Sequence, residues 1–308
     1  MKTILGKIDQ QMAANLYHGA SLALYRDGVW REHYIGTQDG ETPVLPGLAY
    51  DLASVSKVVG VATICIFLLN SGAIRLDDSL VKYYPEFHDK SVTLRQLLTH
   101  TTGINPFIPN RDRLSENELK EAINQITVTD HKAFHYTDIN FLLLGFMLEE
   151  ILGCPLAEMF QKDIFIPWKM TETDFGPVKG AVPTVKGVTD GLVHDPKAKV
   201  LGRHAGSAGL FSTLSDLKRF CQHYLEDDFA ENLWTNISLG NKTRSIGWNL
   251  DGDWIDHTGY TGPFVMLNRK EQCAAIFLTN RTFEYDDRPL WIAKRRELRD
   301  VIQVALSR

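Results

Sequence analysis

Leu52-Ala53-Ser54-Val55-Ser56-Lys57 runs without a break into the apolar stretch Val58-Val59-Gly60-Val61-Ala62-Thr63-Ile64-Cys65-Ile66-Phe67-Leu68-Leu69. Such a run, closed by Asn70-Ser71-Gly72, predicts an apolar helix whose first turn carries Ser54 and Lys57 on one face. There the lysine amine reaches the serine hydroxyl and sets a nucleophile beside a base. The competing reading is a Ser54 helix cap followed by a solvated Lys57. Residues on either side of the stretch decide between the two.

Upstream, Ile4, Ile8, Met12, Leu16 and Tyr17 recur at helical spacing. Residues 20–36 then read as two antiparallel strands around Arg26-Asp27-Gly28, a hairpin signal. Downstream, residues 58–180 read as largely helical, with a Ser115/Glu118 capping box, a helix from about Asp138 to Leu152 and another from Leu156 towards Phe165. Beyond Gly176 the chain is loop-rich until a helix predicted over residues 212–225. Strands are predicted at 245–250, 254–257, 264–269 and 273–279, and a last helix from about Pro289 to Leu306. Neither terminal strand group is large enough for a stable sheet of its own. The expectation is therefore an α+β fold: one antiparallel sheet from residues 1–57 and 200–308, flanked by terminal helices, with residues 58–199 inserted as a mostly helical subdomain. A site is expected in the cleft between the two parts.

The chain has 308 residues, 44% apolar and 23% charged, with a formal net charge of -5. No basic stripe is present, which disfavours nucleic acid and anionic membrane surfaces and leaves small molecules as the expected partners. Cys65, Cys154, Cys221 and Cys273 are scattered singly and read as buried free thiols. The first residues lack the apolar core of a signal peptide, and the run Val58 to Leu69 is shorter than a membrane span, so a cytoplasmic protein is expected. The sequons at Asn236, Asn241 and Asn280 then carry no consequence. His100, His194 and His204 lack metal-ligand spacing, and neither a metal nor another cofactor is expected.

Two further stretches can complete the chemistry of Ser54. Tyr136-Thr137-Asp138-Ile139-Asn140 stands at the entry of an apolar helix, and His257-Thr258-Gly259-Tyr260-Thr261-Gly262 at the end of a predicted strand. Ser54 to Lys57, Tyr136-Thr137-Asp138 and His257-Thr258-Gly259, in this order and at wide spacing, resemble the three motifs of serine β-lactamases and penicillin-binding proteins. The class C branch, with its esterases and D-Ala peptidases, is the most similar. Leu76-Asp77-Asp78, Leu97-Leu98-Thr99-His100-Thr101-Thr102-Gly103 and Ala208-Gly209-Leu210-Phe211-Ser212-Thr213 also look like that branch.

The resemblance implies a β-lactamase/transpeptidase-like fold and an acyl-enzyme on Ser54. Tyr136 would hydrogen-bond Ser54 and pass its proton to the leaving group. The backbone N–H groups of Ser54 and Tyr260 would form the oxyanion hole, with His257, Thr258 and Gly259 on the substrate and Asp138 orienting polar substrate groups or Lys57. Lys57 is a base only as a neutral amine, which requires a lowered pKa, and the sequence leaves the choice between Lys57 and Tyr136 open. A Ser-His-Asp triad built on Asp256 and His257 is the rival, but no Gly-x-Ser-x-Gly elbow exists; Gly19-Ala20-Ser21-Leu22-Ala23 lacks the last glycine. Ser56 reads as structural.

Two departures stand out. The third motif usually begins with Lys and here begins with His257; the second more often ends in Asn and here ends in Asp138. Both favour an ester or neutral amide over an anionic β-lactam or peptide terminus. The expected activity is serine hydrolysis of small ester, amide or peptide substrates, with a D-Ala-type carboxypeptidase, an aminopeptidase or a β-lactamase as alternatives. A non-catalytic sensor or binding protein of the same fold has no need of Ser54, Lys57 and Tyr136 together.

Overall fold

The computed structural model describes residues 2–189 and 191–307. The strands are β1 (Gly19–Arg26), β2 (Val29–Gly36), β3 (Ala49–Asp51), β4 (Asp174–Phe175), β5 (Leu210–Thr213), β6 (Asn249–Asp251), β7 (Trp254–Thr258), β8 (Phe264–Asn268) and β9 (Cys273–Leu278). The two terminal groups join into one antiparallel sheet in the order β2-β1-β9-β8-β7-β6. β1 and β2 meet at Arg26↔Val29, with Asp27 and Gly28 at φ 55° and 76°, the positive pair that a two-residue I′ hairpin requires.

Alternation along the strands sends side chains to two separate cores. Leu22, Leu24, Phe264, Met266 and Phe277 face the terminal helices Lys2–Ala13 and Arg288–Leu306, packing with Ile4, Ile8, Trp291, Leu298 and Ile302. Ala23, Tyr25, Val265, Leu267, Ala274 and Ile276 face the helical block. Because both faces are covered, β9 reads as a continuous apolar run.

The central helical stretch spans residues 53–70. It is long and apolar enough to cross a membrane by composition, longer than the run read from sequence, yet 72% of it is buried inside the protein. The helix Ile139–Leu152 packs beside it and is likewise buried over most of its length. A helix apolar on all sides belongs in a core.

Local readings differ in four places. The first helix ends at Ala13, where Asn15 turns to φ 55°, although Leu16 and Tyr17 stay buried. Ser212 and Thr213 belong to β5, and the helix runs Leu214–Glu226 with Thr213 as its cap. The strand expected at 245–250 shrinks to Asn249–Asp251, because Ser245 N–H bonds to Trp248 O at 3.0 Å in a turn that buries Trp248. The small sheet β3-β5-β4 was not anticipated; its strands have three, four and two residues, too short for a periodic signal.

Candidate active site

Ser54 sits in a tight turn, Ala53–Val55, directly after β3. Ala53 has φ 45°, a left-handed conformation that costs an alanine roughly 1–2 kcal/mol. Asp51 holds the turn in place: its Oδ1 accepts from Ala53 N–H at 2.7 Å and its Oδ2 from His194 N–H at 2.7 Å. Burial raises the Asp51 carboxyl to about 6, against the pull of those two hydrogen bonds.

Lys57 is fully buried, and its ammonium donates to Ser54 Oγ at 2.9 Å, Asp138 Oδ1 at 2.7 Å and Ser207 O at 2.8 Å. An ammonium has three hydrogens, so every donor is used. Burial lowers the Lys57 pKa, but Asp138 and Tyr136 outweigh it and hold the amine above its ordinary value. The neutral amine expected of a Lys57 base is therefore not what this environment favours. Asp138 is the reason: burial opposes its charge, but Lys57 and Lys197 keep its carboxyl well below the usual range. Lys197 Nζ lies 3.1 Å from Asp138 Oδ2 and 3.6 Å from Asp195.

Tyr136 borders Ser54, with Lys57 Nζ 5.3 Å from its ring centroid. Its ring lies 4.4 Å from that of His100, which in turn stacks on Phe141 at 5.5 Å. His100 is buried in a left-handed conformation that caps the helix Leu94–Thr99, and its Nδ1 accepts from Asn140 Nδ2 at 3.0 Å. Burial, with Arg244, Lys57 and His257 nearby, keeps its pKa well below the ordinary value, so it serves as a neutral platform.

His257, on β7, is buried 6.4 Å from the Tyr136 ring. Neither ring nitrogen has a partner among the described residues. Burial and the charges of Lys57, Arg244 and Arg295 drive its pKa well down, so the ring is neutral at pH 7. Asp256 instead accepts from Asn249 Nδ2 at 3.0 Å and pairs with Arg299, which disposes of the Ser-His-Asp triad.

The turn after β7 is fastened to the Ser54 turn. Thr261 Oγ1 donates to Asp51 O at 3.0 Å, and Gly259 N–H bonds to Pro263 O at 2.7 Å. A Cβ on Gly259 would stand 2.6 Å from Leu52 O, so only glycine allows this approach. Two recesses flank Ser54 and share Tyr136, Tyr260 and Arg288 in their walls. One, about 490 Å³, runs towards Asp138, His194 and Lys197; the other, about 280 Å³, runs towards His257, Thr258 and the last helix.

The structure thus brings together Ser54, Lys57, Tyr136, Asp138, His257, Thr258, Gly259 and Tyr260, all eight residues singled out from sequence. Sequence reasoning missed Lys197, the His100 platform and Ser207 O, whose contacts are non-local; His100 was noted only within the 97–103 stretch and as a histidine without metal-ligand spacing. Among the described residues, no group of three or more His, Cys, Asp or Glu is gathered to hold a metal ion.

Comparison with known proteins agrees with this geometry. A protein of Escherichia coli O157:H7 named as a candidate D-alanyl-D-alanine carboxypeptidase is 25% identical, over 89% of this chain and 80% of its own. The β-lactamase/D-alanine carboxypeptidase structure from Pseudomonas syringae superposes with a TM-score of 0.79 at 18% identity, covering 98% of both chains. EstCE1, described as a hydrolase with promiscuous acyltransferase activity, superposes at 0.74 with 16% identity over 98% of this chain and 97% of its own. The sequence model of the Beta-lactamase family matches residues 6–299, and the chain belongs to the Beta-lactamase family of serine hydrolases.

Proposed function

We propose that the protein hydrolyses ester or amide bonds through an acyl-enzyme on Ser54. The carrying observation is the chain Ser54 Oγ, Lys57 Nζ, Asp138 Oδ1 through a fully buried ammonium, with contacts of 2.9 and 2.7 Å. A solvated lysine beside a helix cap has no reason to be buried, triply bonded and matched by a carboxylate.

With Lys57 committed as a cation, Tyr136 is the group we assign to take the Ser54 proton. Tyr136 accepts it as a phenolate, whose negative charge is stabilised by the neighbouring cations Lys57 and buried Arg244 until the Ser54 proton arrives. Ser54 Oγ bonds to the carbonyl carbon, and the carbonyl oxygen gains charge facing the Ser54 and Tyr260 N–H groups. Collapse expels the leaving group, which takes the proton from Tyr136. Water then enters the same position, gives its proton to Tyr136 and releases the acid, returning the proton to Ser54.

A D-Ala-type carboxypeptidase is the second reading, favoured by the Escherichia coli relative. Both predict a mass increase equal to the acyl group when the protein meets p-nitrophenyl esters or a fluorescent penicillin. Ser54→Ala should abolish the adduct and lower kcat by at least about 10³-fold. No adduct with any acyl donor would leave a binding protein of this fold, and turnover surviving in Ser54→Ala would move the nucleophile elsewhere.

A further inference from the structure

The smaller recess beside Ser54 has a charge that the sequence as a whole does not advertise. The chain carries a net charge of -5, yet this recess is walled by Lys242, Arg281, Arg288 and Arg295 and by no Asp or Glu. Of the four cations only Arg281 has a carboxylate partner among the described residues, Asp286. Lys242 lies 4.4 Å above the Phe134 ring, and Arg288 5.8 Å from the Tyr260 ring. Aromatic faces orient cations without neutralising them. Asp256 is in direct contact with Arg299 and Asn249 and acts on Arg295 and Lys242 only through its charge, which leaves the pKa of each lowered.

Hydrogen bonding tells the same story independently. Five buried nitrogens without a partner belong to residues walling this one recess: Nδ1 and Nε2 of His257, Nη2 of Arg281, Nε1 of Trp291 and Nε of Arg295. A neutral imidazole has one N–H and one lone pair, so four of these five atoms are unmatched N–H donors in the walls of one recess, a surplus that favours an acceptor there. Arg288, Trp291 and Arg295 lie at i, i+3 and i+7 on the last helix and so share a face. Burial, and repulsion from Arg299 and Arg281, lowers Arg295 to about 10; Lys242 is lowered by burial and by Arg244. A bound anion would relieve both.

We propose that this recess binds a dianionic group of the substrate, a phosphate monoester or a pair of carboxylates, with Lys242, Arg288 and Arg295 as countercharges and neutral His257 as a hydrogen-bond partner. His257, at the start of the third motif, is neutral, and the positive charge of this recess stands on the last helix and on Arg281 and Lys242. This reverses the neutral-substrate preference inferred from His257 and Asp138 in the sequence. The proposal names the substrate class for the hydrolase reading and rests on it only for turnover; the anion site itself does not need Ser54.

The test uses three esters of identical reacting bond whose side group carries two carboxamides, two carboxylates or a phosphate monoester. The dianionic esters should exceed the dicarboxamide in kcat/KM by at least about 30-fold, less as NaCl is raised, and the better of the two identifies the group. Arg295→Gln and Lys242→Gln should each lower that ratio by about tenfold, through KM, with partial rescue by Arg295→Lys. A ratio near one in the wild type, or a ratio untouched in both variants, overturns the proposal. In parallel, inorganic phosphate and tricarballylate should raise the Tm of the Ser54→Ala protein and of Lys270→Gln, an exposed surface change, but not of Arg295→Gln or Lys242→Gln. A Tm response of this pattern without ester turnover would sink the hydrolase reading and keep the anion site; no Tm response sinks the site.

Discussion

Asp51 is the residue whose protonation reaches furthest into the site. Both of its oxygens accept an N–H, one from the strained Ala53 and one from His194, whose ring stacks on Tyr260 at 5.6 Å. A proton on either oxygen would face a donor and weaken that bond. With the carboxyl at about 6, kcat is expected to fall as pH drops through 6, and Asp51→Asn should be slow at every pH and lack that limb. Stability moves the other way. The folded pKa lies above the unfolded value of 3.8, so the fold binds the proton more tightly, and the stabilisation is full below about 4 and lost as pH rises through 6. The difference is on the order of 3 kcal/mol. Urea titrations at pH 4.5 and 7.5 should show wild type gaining on Asp51→Asn at the lower pH; a constant gap would remove Asp51 from this role. Asp138 does not share this window, since Lys57 and Lys197 hold it ionised far below pH 6.

Among elements, the site is made by two turns that touch, one after β3 and one after β7. Both were legible in part. Ser54 and Lys57 were readable because their relation is local, one helical turn, and His257-Thr258-Gly259 because it closes a predicted strand. What joins them was not, since Thr261 to Asp51 O spans 210 positions and β3 is only three residues long. The choice of base stayed open in the sequence for a related reason: Asp138 was seen, but its distance to Lys57 was not, and that distance decides the lysine's charge. Gly259→Ala tests the contact directly. Its Cβ would fall 2.6 Å from Leu52 O and 2.7 Å from Pro263 Cγ, so the two turns must part. Acylation of Ser54 by a p-nitrophenyl ester should slow by at least about 10²-fold, the loss expected when one oxyanion donor is displaced. Near-normal acylation would show that the Tyr260 N–H is not part of the oxyanion hole.

At the scale of the molecule, the chain's two ends build one sheet, and the last helix has two tasks. Its inner face, with Trp291, Leu298 and Ile302, closes the core under β1, β8 and β9, while Arg288 and Arg295 reach the recess beside Ser54. Sequence periodicity recovered the first task, because apolar spacing is a property of the helix alone. The second depends on where the helix crosses the sheet, and the global charge of -5 masks the local positive cluster. The two tasks are coupled through packing. Leu298, fully buried, lies one turn beyond Arg295, so a cavity at Leu298 should loosen the helix where it presents the arginines. Leu298→Ala is expected to cost about 2–5 kcal/mol in urea unfolding. Val304→Ala on the same helix, 54% exposed, should stay within about 0.5 kcal/mol. Leu298→Ala should also raise KM for the dianionic esters more than for the dicarboxamide under conditions where the protein remains folded. Equal KM changes for all three esters would mean that the helix supports the sheet without positioning the cations.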